Sequence, residues 1–136
     1  IWHNHDDIPN FYKELDIFLI TSFSEGTPFV AYEAGASGIP IISTNCGSMP
    51  EFLTSNNGFI VESKIEAFVD KLNYLYEHRD VLQQMKTNMY NRTLEDHNYK
   101  TVFPYWLNLF GEYNGAPLPP PKPSLTKLPP YPVPVE

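Results

Sequence analysis

The stretch SFSEGTPFVAYEAGASGIP, residues 22–40, contains two glutamates, Glu25 and Glu33, eight positions apart. Glu33 lies in a run of small residues, namely Ala31, Ala34, Gly35 and Ala36. Such a run is typical of a helix that packs closely on a sheet. By itself, Glu33 fits a solvent-facing helix position as well as a functional site. Glu25 alone fits a loop carboxylate stabilised by a nearby helix N-terminus.

The ends of this helix are indicated by four residues. Thr27 and Pro28 predict the N-cap and the first helical position, because Thr accepts a hydrogen bond from a free backbone N–H and Pro has a helical φ angle. Gly38 followed by Pro40 predicts where the helix stops. The expected helix is about ten residues long.

Short apolar runs lie on both sides of the helix. DIFLITS at 16–22, PIISTN at 40–45 and GFIVES at 58–63 predict strands, and DIPNFYKEL at 7–15 predicts a short helix before them. Because the first strand is apolar at consecutive positions, we expect it to lie in a parallel sheet that is covered on both faces. This alternation predicts an α/β fold, a doubly wound, Rossmann-like parallel sheet.

From Ile65 onward the apolar residues follow a helical period. They are Phe68, Leu72, Leu75, Tyr76, Val81, Leu82, Met85 and Met89. A further helical pattern over 99–110 contains an aromatic stripe, Tyr99, Phe103, Trp106 and Phe110. We expect C-terminal helices, with this stripe either in the core or against another domain. Without such a partner domain the stripe should be exposed.

The last segment, 114–136, contains nine of the chain's 14 prolines. Since proline lacks a backbone N–H and fixes φ, we expect a disordered or extended tail after a domain that spans 1–113. The motif PLPPPK at 117–122 resembles a ligand of proline-binding adaptor domains. Short proline motifs often arise by chance, so a linker or loose terminus is the simpler interpretation.

Composition excludes several classes of function. With 136 residues and a formal net charge of −7, the chain is unsuited to a nucleic-acid surface. One cysteine, Cys46, cannot form an internal disulfide. The sequence has no apolar stretch of about 20 residues and no basic-then-apolar leader. We expect a cytoplasmic protein without a transmembrane segment, and we interpret HNHDD at 3–7 as a polar loop rather than a metal site.

The segment after the first strand predicts an anion site. In doubly wound folds ligands lie at the carboxyl ends of strands, where Glu25 and Gly26 are expected. Gly26 permits a tight bend and close approach of the backbone to a ligand, and the following helix directs free N–H groups to the same space. Lys13 is the only Lys or Arg in the first sixty residues, so an anion there must be bound by backbone amides or by residues outside this chain.

Two carboxylates beside an anion site suit hydroxyl groups, because an ionised carboxylate accepts hydrogen bonds and cannot donate them. Sugar hydroxyls meet this description. Together with the flanking residues, the two glutamates resemble the E-x7-E donor-binding signature of the retaining glycosyltransferases of the GT-B fold, of the group 1 or family 4 type. The matching residues are Asp16, Phe18, Ser22, Glu25, Gly26, Glu33, Ala34, Ala36, Gly38, Pro40 and Ile41. STNCGSMPEFL and NNGFIV extend the resemblance, which fades in the C-terminal helices.

The resemblance implies a hexosyltransferase that moves a sugar from a nucleoside-diphosphate sugar to a glycan or other hydroxyl acceptor, with retention of configuration and without a cofactor or metal. Glu25 would bind hydroxyls of the transferred sugar and is the candidate catalytic residue, and Glu33 would bind the ribose hydroxyls. The diphosphate would lie against the turn and helix start formed by Gly26, Thr27, Pro28, Phe29 and Val30. Where the family often has glycine, Pro28 has no N–H, so the amides of Thr27, Phe29 or Val30 would have to serve.

Family members also have an N-terminal, acceptor-binding domain and an earlier part of the donor domain, whose Lys and Arg neutralise the diphosphate. Neither is in this sequence, so we expect the C-terminal donor-binding portion of an enzyme, with doubtful activity by itself. One alternative is a noncatalytic nucleotide-sugar-binding or interaction module. A weaker one is a related epimerase or phosphorylase of the GT-B fold, although EGTP and the glutamate spacing favour the transferase.

Overall fold

The computed structural model describes residues 7–111. Within them the chain forms three strands and six helices. In chain order these are α1 Ile8–Lys13, β1 Phe18–Ile20, α2 Phe29–Ala36, β2 Ile41–Thr44, α3 Met49–Phe52, β3 Gly58–Val61, α4 Ile65–Glu77, α5 Arg79–His97 and α6 Tyr99–Gly111. The strands form one parallel sheet in the order β1-β2-β3. The predicted α/β class and parallel sheet are confirmed, whereas the predicted tail, its boundary after residue 113 and most of HNHDD lie outside the described residues.

Successive residues of each strand point to opposite faces of the sheet. Helices cover both of these faces. On one face Ile20 and Ile41 pack in a cluster with residues of α1, α2, α3 and the second half of α5. On the other face Ile42 and Val61 pack with residues of α4 and the first half of α5. This two-sided arrangement is the doubly wound topology that the sequence predicts.

Strand β1 is buried on one face only. Ile20 is buried, but Leu19, which points to the other face, is 42% exposed. The expectation of a strand buried on both faces is wrong at Leu19 because β1 is an edge strand within residues 7–111 and α4 packs against β3, at the opposite edge.

Helix α2 begins one residue later than predicted. Pro28, with φ −71° and ψ 105°, is extended and is the N-cap residue, and its carbonyl accepts a hydrogen bond from the Ala31 N–H at 3.0 Å. The helix has eight residues rather than ten. Its predicted end is confirmed, since Gly38 follows it with φ +71°, in the left-handed region that favours glycine.

Small residues in α2 permit the close packing expected from the sequence. Ala31 and Ala34 are fully buried in the cluster on the sheet. Gly35 faces α5 instead, and a Cβ there would lie 2.5 Å from the Oγ1 atom of Thr93. The small side chains thus serve two contacts, one with the sheet and one with α5.

The C-terminal helices are confirmed with two corrections. Buried positions follow the predicted period at Phe68, Leu75, Leu82, Met85 and Met89. Tyr76 is exposed, however, because it lies on the outer side of α4. All four residues of the aromatic stripe of α6 are also exposed. The stripe is therefore not part of the core, and it is exposed as expected in the absence of a partner domain.

Candidate functional site

The loops that follow β1 and β2 meet at the carboxyl edge of the sheet. We name residues 25–28 the Glu25 turn and residues 45–48 the Gly47 loop. The backbone N–H of Ser48 donates a hydrogen bond to the Gly26 carbonyl at 3.0 Å, and the Thr44 hydroxyl donates one to the Ser22 carbonyl. These bonds fix the segment after β1, which includes the Glu25 turn, against the end of β2 and the Gly47 loop.

Glycine is required in the Gly47 loop rather than in the Glu25 turn. Gly47 has φ +50°, and a Cβ on it would overlap the Gly26 carbonyl oxygen and lie 2.9 Å from that of Glu25. A Cβ on Gly26 would meet nothing within 4 Å, and among residues 7–111 the positive φ angles belong to Gly38 and Gly47. Neither the φ angle of Gly26 nor a steric contact demands glycine there, and the close approach of the two loops occurs at Gly47 instead. Open space beside Gly26 remains compatible with the approach of a ligand.

Glu25 is exposed, and its side chain is oriented by a local hydrogen bond. The Ser22 hydroxyl donates to Glu25 Oε1 at 2.7 Å. Because a carboxylate has two oxygens with several lone pairs, this bond leaves acceptor capacity for hydroxyl groups of a ligand.

Glu33 lies on α2, four residues after Phe29 and hence about 6 Å along the helix axis from its start. The buried Tyr12 of α1 donates a hydrogen bond from its hydroxyl to Glu33 Oε2 at 2.9 Å. Burial, followed by the hydrogen bond to Glu33 and its negative charge, raises the pKa of Tyr12. The phenol therefore stays protonated at neutral pH and acts as the donor.

The start of α2 offers backbone amides at the same edge. In the first turn of a helix the N–H groups have no intrahelical acceptor, which applies here to Phe29 and Val30. Ala31 donates to Pro28, and Pro28 itself has no N–H. The side chains of Phe29 and Val30 are exposed. An anion beside this turn would also interact favourably with the positive end of the helix dipole.

No ion pair in the described part of the chain involves Glu25 or Glu33. The exposed Lys13 ammonium lies on α1 and donates to the Asn10 side chain at 3.4 Å. Within residues 7–111 no three His, Cys, Asp or Glu side chains are placed to bind a metal ion. The site therefore consists of carboxylates and backbone amides, an arrangement suited to hydroxyl groups next to an anion.

Two other residues of the matching segments, Asp16 and Asn57, make structural contacts. Asp16 precedes β1, at the amino-terminal end of that strand, whereas the Glu25 turn follows its carboxyl end. The Asp16 carboxylate accepts a hydrogen bond from Lys86 of α5 at 2.6 Å. Asn57 is buried and its side chain bonds the Thr54 N–H and the Phe52 carbonyl, which fixes the turn before β3.

Sequence reasoning missed Tyr12, which contacts Glu33, and Gly47, which contacts the Glu25 turn. Tyr12 and Glu33 are 21 residues apart, so no local pattern connects them. Gly47 offered a weak signal, because a glycine in a loop after a strand often adopts a positive φ. Nothing in the sequence indicated that its partner would be the Glu25 turn.

Comparison with known proteins gives the family. The model of the family described as "Glycosyl transferases group 1" matches residues 1–92. This chain belongs to the group 1 glycosyltransferases. The residues that the structure describes correspond to the C-terminal domain of the GT-B fold. With a TM-score of 0.65, 71% of the chain aligns with 51% of the crystallised C-terminal domain of the group 1 glycosyltransferase LpcC from Francisella tularensis, at 30% identity.

Relatives of this group 1 glycosyltransferase chain are much longer than it is. It is 33% identical over 103 residues to the UDP-Gal:alpha-D-GlcNAc-diphosphoundecaprenol alpha-1,3-galactosyltransferase of Escherichia coli, an alignment that covers 71% of this chain and 25% of that protein. Sucrose-phosphate synthase from Thermosynechococcus elongatus shares the fold, with a TM-score of 0.74 at 18% identity over 81% of this chain and 28% of that one. The chain thus spans about a quarter to three tenths of these proteins.

None of the helices between residues 7 and 111 is both long and apolar enough to cross a bilayer.

Proposed function

We propose that this group 1 glycosyltransferase chain provides the donor-binding half of the active site of a retaining hexosyltransferase. The substrate would be a nucleoside-diphosphate sugar, and the acceptor a hydroxyl group of a glycan or another molecule. The observation that supports this most strongly is the meeting of Glu25, the start of α2 and the Gly47 loop at the carboxyl edge of the parallel sheet. Carboxylates for hydroxyls and amides for a diphosphate lie there on adjacent segments.

In this proposal Glu25 binds hydroxyls of the transferred sugar, and Ser22 keeps one of its oxygens in place. The position of Glu25 directly after the strand suits the reacting end of the donor. It is a positioning residue first and the candidate catalytic residue second, because retention would proceed by attack of the acceptor on the same face from which the diphosphate leaves.

Glu33 binds the ribose hydroxyls in the same proposal. Its place about 6 Å along α2 from the first turn separates it from the diphosphate by a distance that a nucleotide can span. The amides of Phe29 and Val30, with that of Thr27 before them, would bind the diphosphate between the two glutamates.

The rest of the enzyme would supply what this chain lacks. A leaving diphosphate needs more positive charge than Lys13 provides, and Lys or Arg from an earlier part of the donor domain would provide it. The exposed Leu19 on the edge strand and the exposed aromatic stripe of α6 are apolar surfaces that such a segment and an acceptor-binding domain would cover. We place the complete enzyme in the cytoplasm.

Isothermal titration calorimetry of the full-length protein tests the donor role. The panel would begin with UDP-galactose and a nucleoside-diphosphate mannose, since relatives include a UDP-Gal-dependent galactosyltransferase and a mannosyltransferase. We expect binding of one donor, weakened at least tenfold by Glu33→Ala, because a carboxylate hydrogen bond with a ligand contributes about 1.5–3 kcal/mol. Glu25→Ala should weaken binding of the sugar nucleotide more than binding of the free nucleoside diphosphate.

The matched control is Glu77→Ala, since Glu77 is exposed at the end of α4 and outside the site. It should leave donor affinity unchanged. Product anomers assigned by NMR should have the configuration of the donor. A folded protein that binds no nucleoside-diphosphate sugar would refute the proposal, and binding without transfer to any acceptor would favour a noncatalytic module.

A further inference from the structure

Tyr12 is a buried tyrosine whose hydroxyl meets the exposed side chain of Glu33. The Tyr12 side chain is 5% exposed, and its ring packs against Phe11 and Phe18, with ring centroids 5.6 and 5.9 Å away. Its hydroxyl nevertheless points to α2 and donates to Glu33 Oε2 at 2.9 Å. Tyr12 thus occupies an apolar core position, yet its hydroxyl binds an exposed carboxylate. Packing by itself does not explain this hydroxyl.

We propose that Tyr12 is the positioning residue of Glu33, an inference that rests on the proposed donor function. Its hydroxyl binds Oε2 and thereby leaves Oε1 as the acceptor for a ribose hydroxyl of the nucleotide. The recognition of ribose is thus shared between α1, which supplies the fixed donor, and α2, which supplies the carboxylate.

The contacts of Tyr12 make it suited to this role. Packing on two aromatic rings fixes the phenol ring, so the hydroxyl cannot move away from Glu33 without disrupting the core. Glu33, by contrast, is an exposed side chain that would otherwise occupy several rotamers. A fixed donor reduces this freedom before the ligand arrives, which lowers the entropy that binding must overcome.

Protonation of Tyr12 supports the same assignment. Its raised pKa, due first to burial and then to Glu33, keeps the phenol protonated over the whole physiological range. A protonated phenol donates to a carboxylate, so Oε2 of Glu33 accepts from Tyr12 and Oε1 is left for a ligand. An oxygen that accepts a hydrogen bond selects ligands that present a hydroxyl donor over those that lack one.

The test compares UDP and GDP with their 2′,3′-dideoxy counterparts, because these pairs differ only in the ribose hydroxyls. Calorimetry on the full-length protein would measure the ribose preference of the wild type, Tyr12→Phe, Glu33→Ala and the double variant. Phenylalanine keeps the ring packing of Tyr12, and thermal melts confirm that each variant is folded. Tyr74→Phe, which removes a tyrosine hydroxyl from α4, is the matched control.

We expect Tyr12→Phe to weaken binding of the ribose form about 2- to 10-fold, with no change for the dideoxy form. In the Glu33→Ala background the same substitution should have no further effect, because Tyr12 acts through Glu33. Tyr74→Phe should leave both affinities unchanged.

Three results would overturn the inference. If Tyr12→Phe retains the full ribose preference, or lowers both affinities equally, Tyr12 has a packing role and the donor proposal stands without it. If its effect persists undiminished in Glu33→Ala, Tyr12 does not act through Glu33. If the wild type binds UDP and GDP no better than their dideoxy forms, the assignment of Glu33 to ribose fails, and the positioning role of Tyr12 fails with it.

Discussion

Gly47 shows how a single residue determines the geometry of the candidate site from outside it. Its φ of +50° turns the loop after β2 so that its Cα lies directly against the carbonyls of Glu25 and Gly26. The N–H of Ser48 completes the contact. The Glu25 turn therefore depends on a glycine that is 22 residues farther along the chain than Glu25, and a side chain at that point would displace the turn.

Gly47→Ala is expected to lower both stability and donor affinity. The left-handed conformation costs about 1–2 kcal/mol for a residue with a Cβ, and the overlap with the Gly26 carbonyl adds to it. Urea unfolding would measure the first effect and calorimetry with the donor the second. Gly38→Ala is the matched control, since Gly38 also has a positive φ but contacts Lys86 and Tyr90 of α5.

The control variant should lose about 1–2 kcal/mol of stability through its left-handed φ, less than Gly47→Ala, while donor affinity stays at the wild-type value. Equal donor affinity in the two variants would contradict the assignment of Gly47 to the Glu25 turn.

At the scale of elements, α2 is positioned by its contact with α5. Gly35 lies where α2 contacts α5, and a Cβ on it would meet the Thr93 hydroxyl and the Phe52 ring. Thr93 is buried and donates to the Met89 carbonyl one turn earlier, so its hydroxyl cannot easily move. Because Glu33 lies on the same short helix, the distance between α2 and α5 also influences where Glu33 is placed.

Gly35→Ala is expected to destabilise the protein by about 1–2 kcal/mol, although alanine normally favours a helix by about 1 kcal/mol over glycine. The physical reason is the Cβ, which would lie 2.5 Å from Thr93 Oγ1. Denaturant unfolding of single and double variants would measure the coupling. Thr93→Ala should relieve part of the cost, whereas Thr93→Ser, which keeps the hydroxyl, should not. A fully additive Thr93→Ala double variant would refute this account.

At the scale of the whole molecule, Asp16 joins the segment before β1 to α5. It lies before β1, and its partners Lys86 and Arg79 belong to α5, with Lys86 70 residues farther along the chain. The hydrogen bond and then the charge of Lys86 hold the pKa of the Asp16 carboxyl below its usual range, with a smaller contribution from Arg79. The pattern residue Asp16 therefore stabilises the packing of α5 and not the site.

Asp16→Asn is expected to lower the free energy of unfolding at pH 7 by less than about 1 kcal/mol, because the Asp16 side chain is 60% exposed. A carboxyl group whose pKa is lowered in the folded state stabilises it above its unfolded pKa of about 3.9, and this contribution is lost as the pH falls through the folded pKa. The difference between wild type and variant, measured by urea unfolding, should therefore be present at pH 7 and diminish below about pH 4. A difference that does not change with pH would contradict the role of the ionised carboxylate.

Local patterns in the sequence determined the α/β class, the order of the elements and the two glutamates. Apolar periodicity and end residues such as Gly38 act over a few positions, so they can be recognised without a structure. The α2 start was displaced by one residue, since Pro28 is compatible with both the cap and the first helical position and only its ψ angle decides between them.

The tertiary structure decided which residues fix those glutamates and which surfaces are covered. Tyr12 meets Glu33 across 21 positions and Gly47 meets the Glu25 turn, because separate loops converge at one edge of the sheet. Leu19 is exposed because of the place of β1 in the strand order, which its own sequence does not specify. Residue types and their spacing thus determined the local elements and the candidate ligand groups. Contacts between distant segments follow only from how those elements pack, since packing depends on shapes contributed by the whole chain.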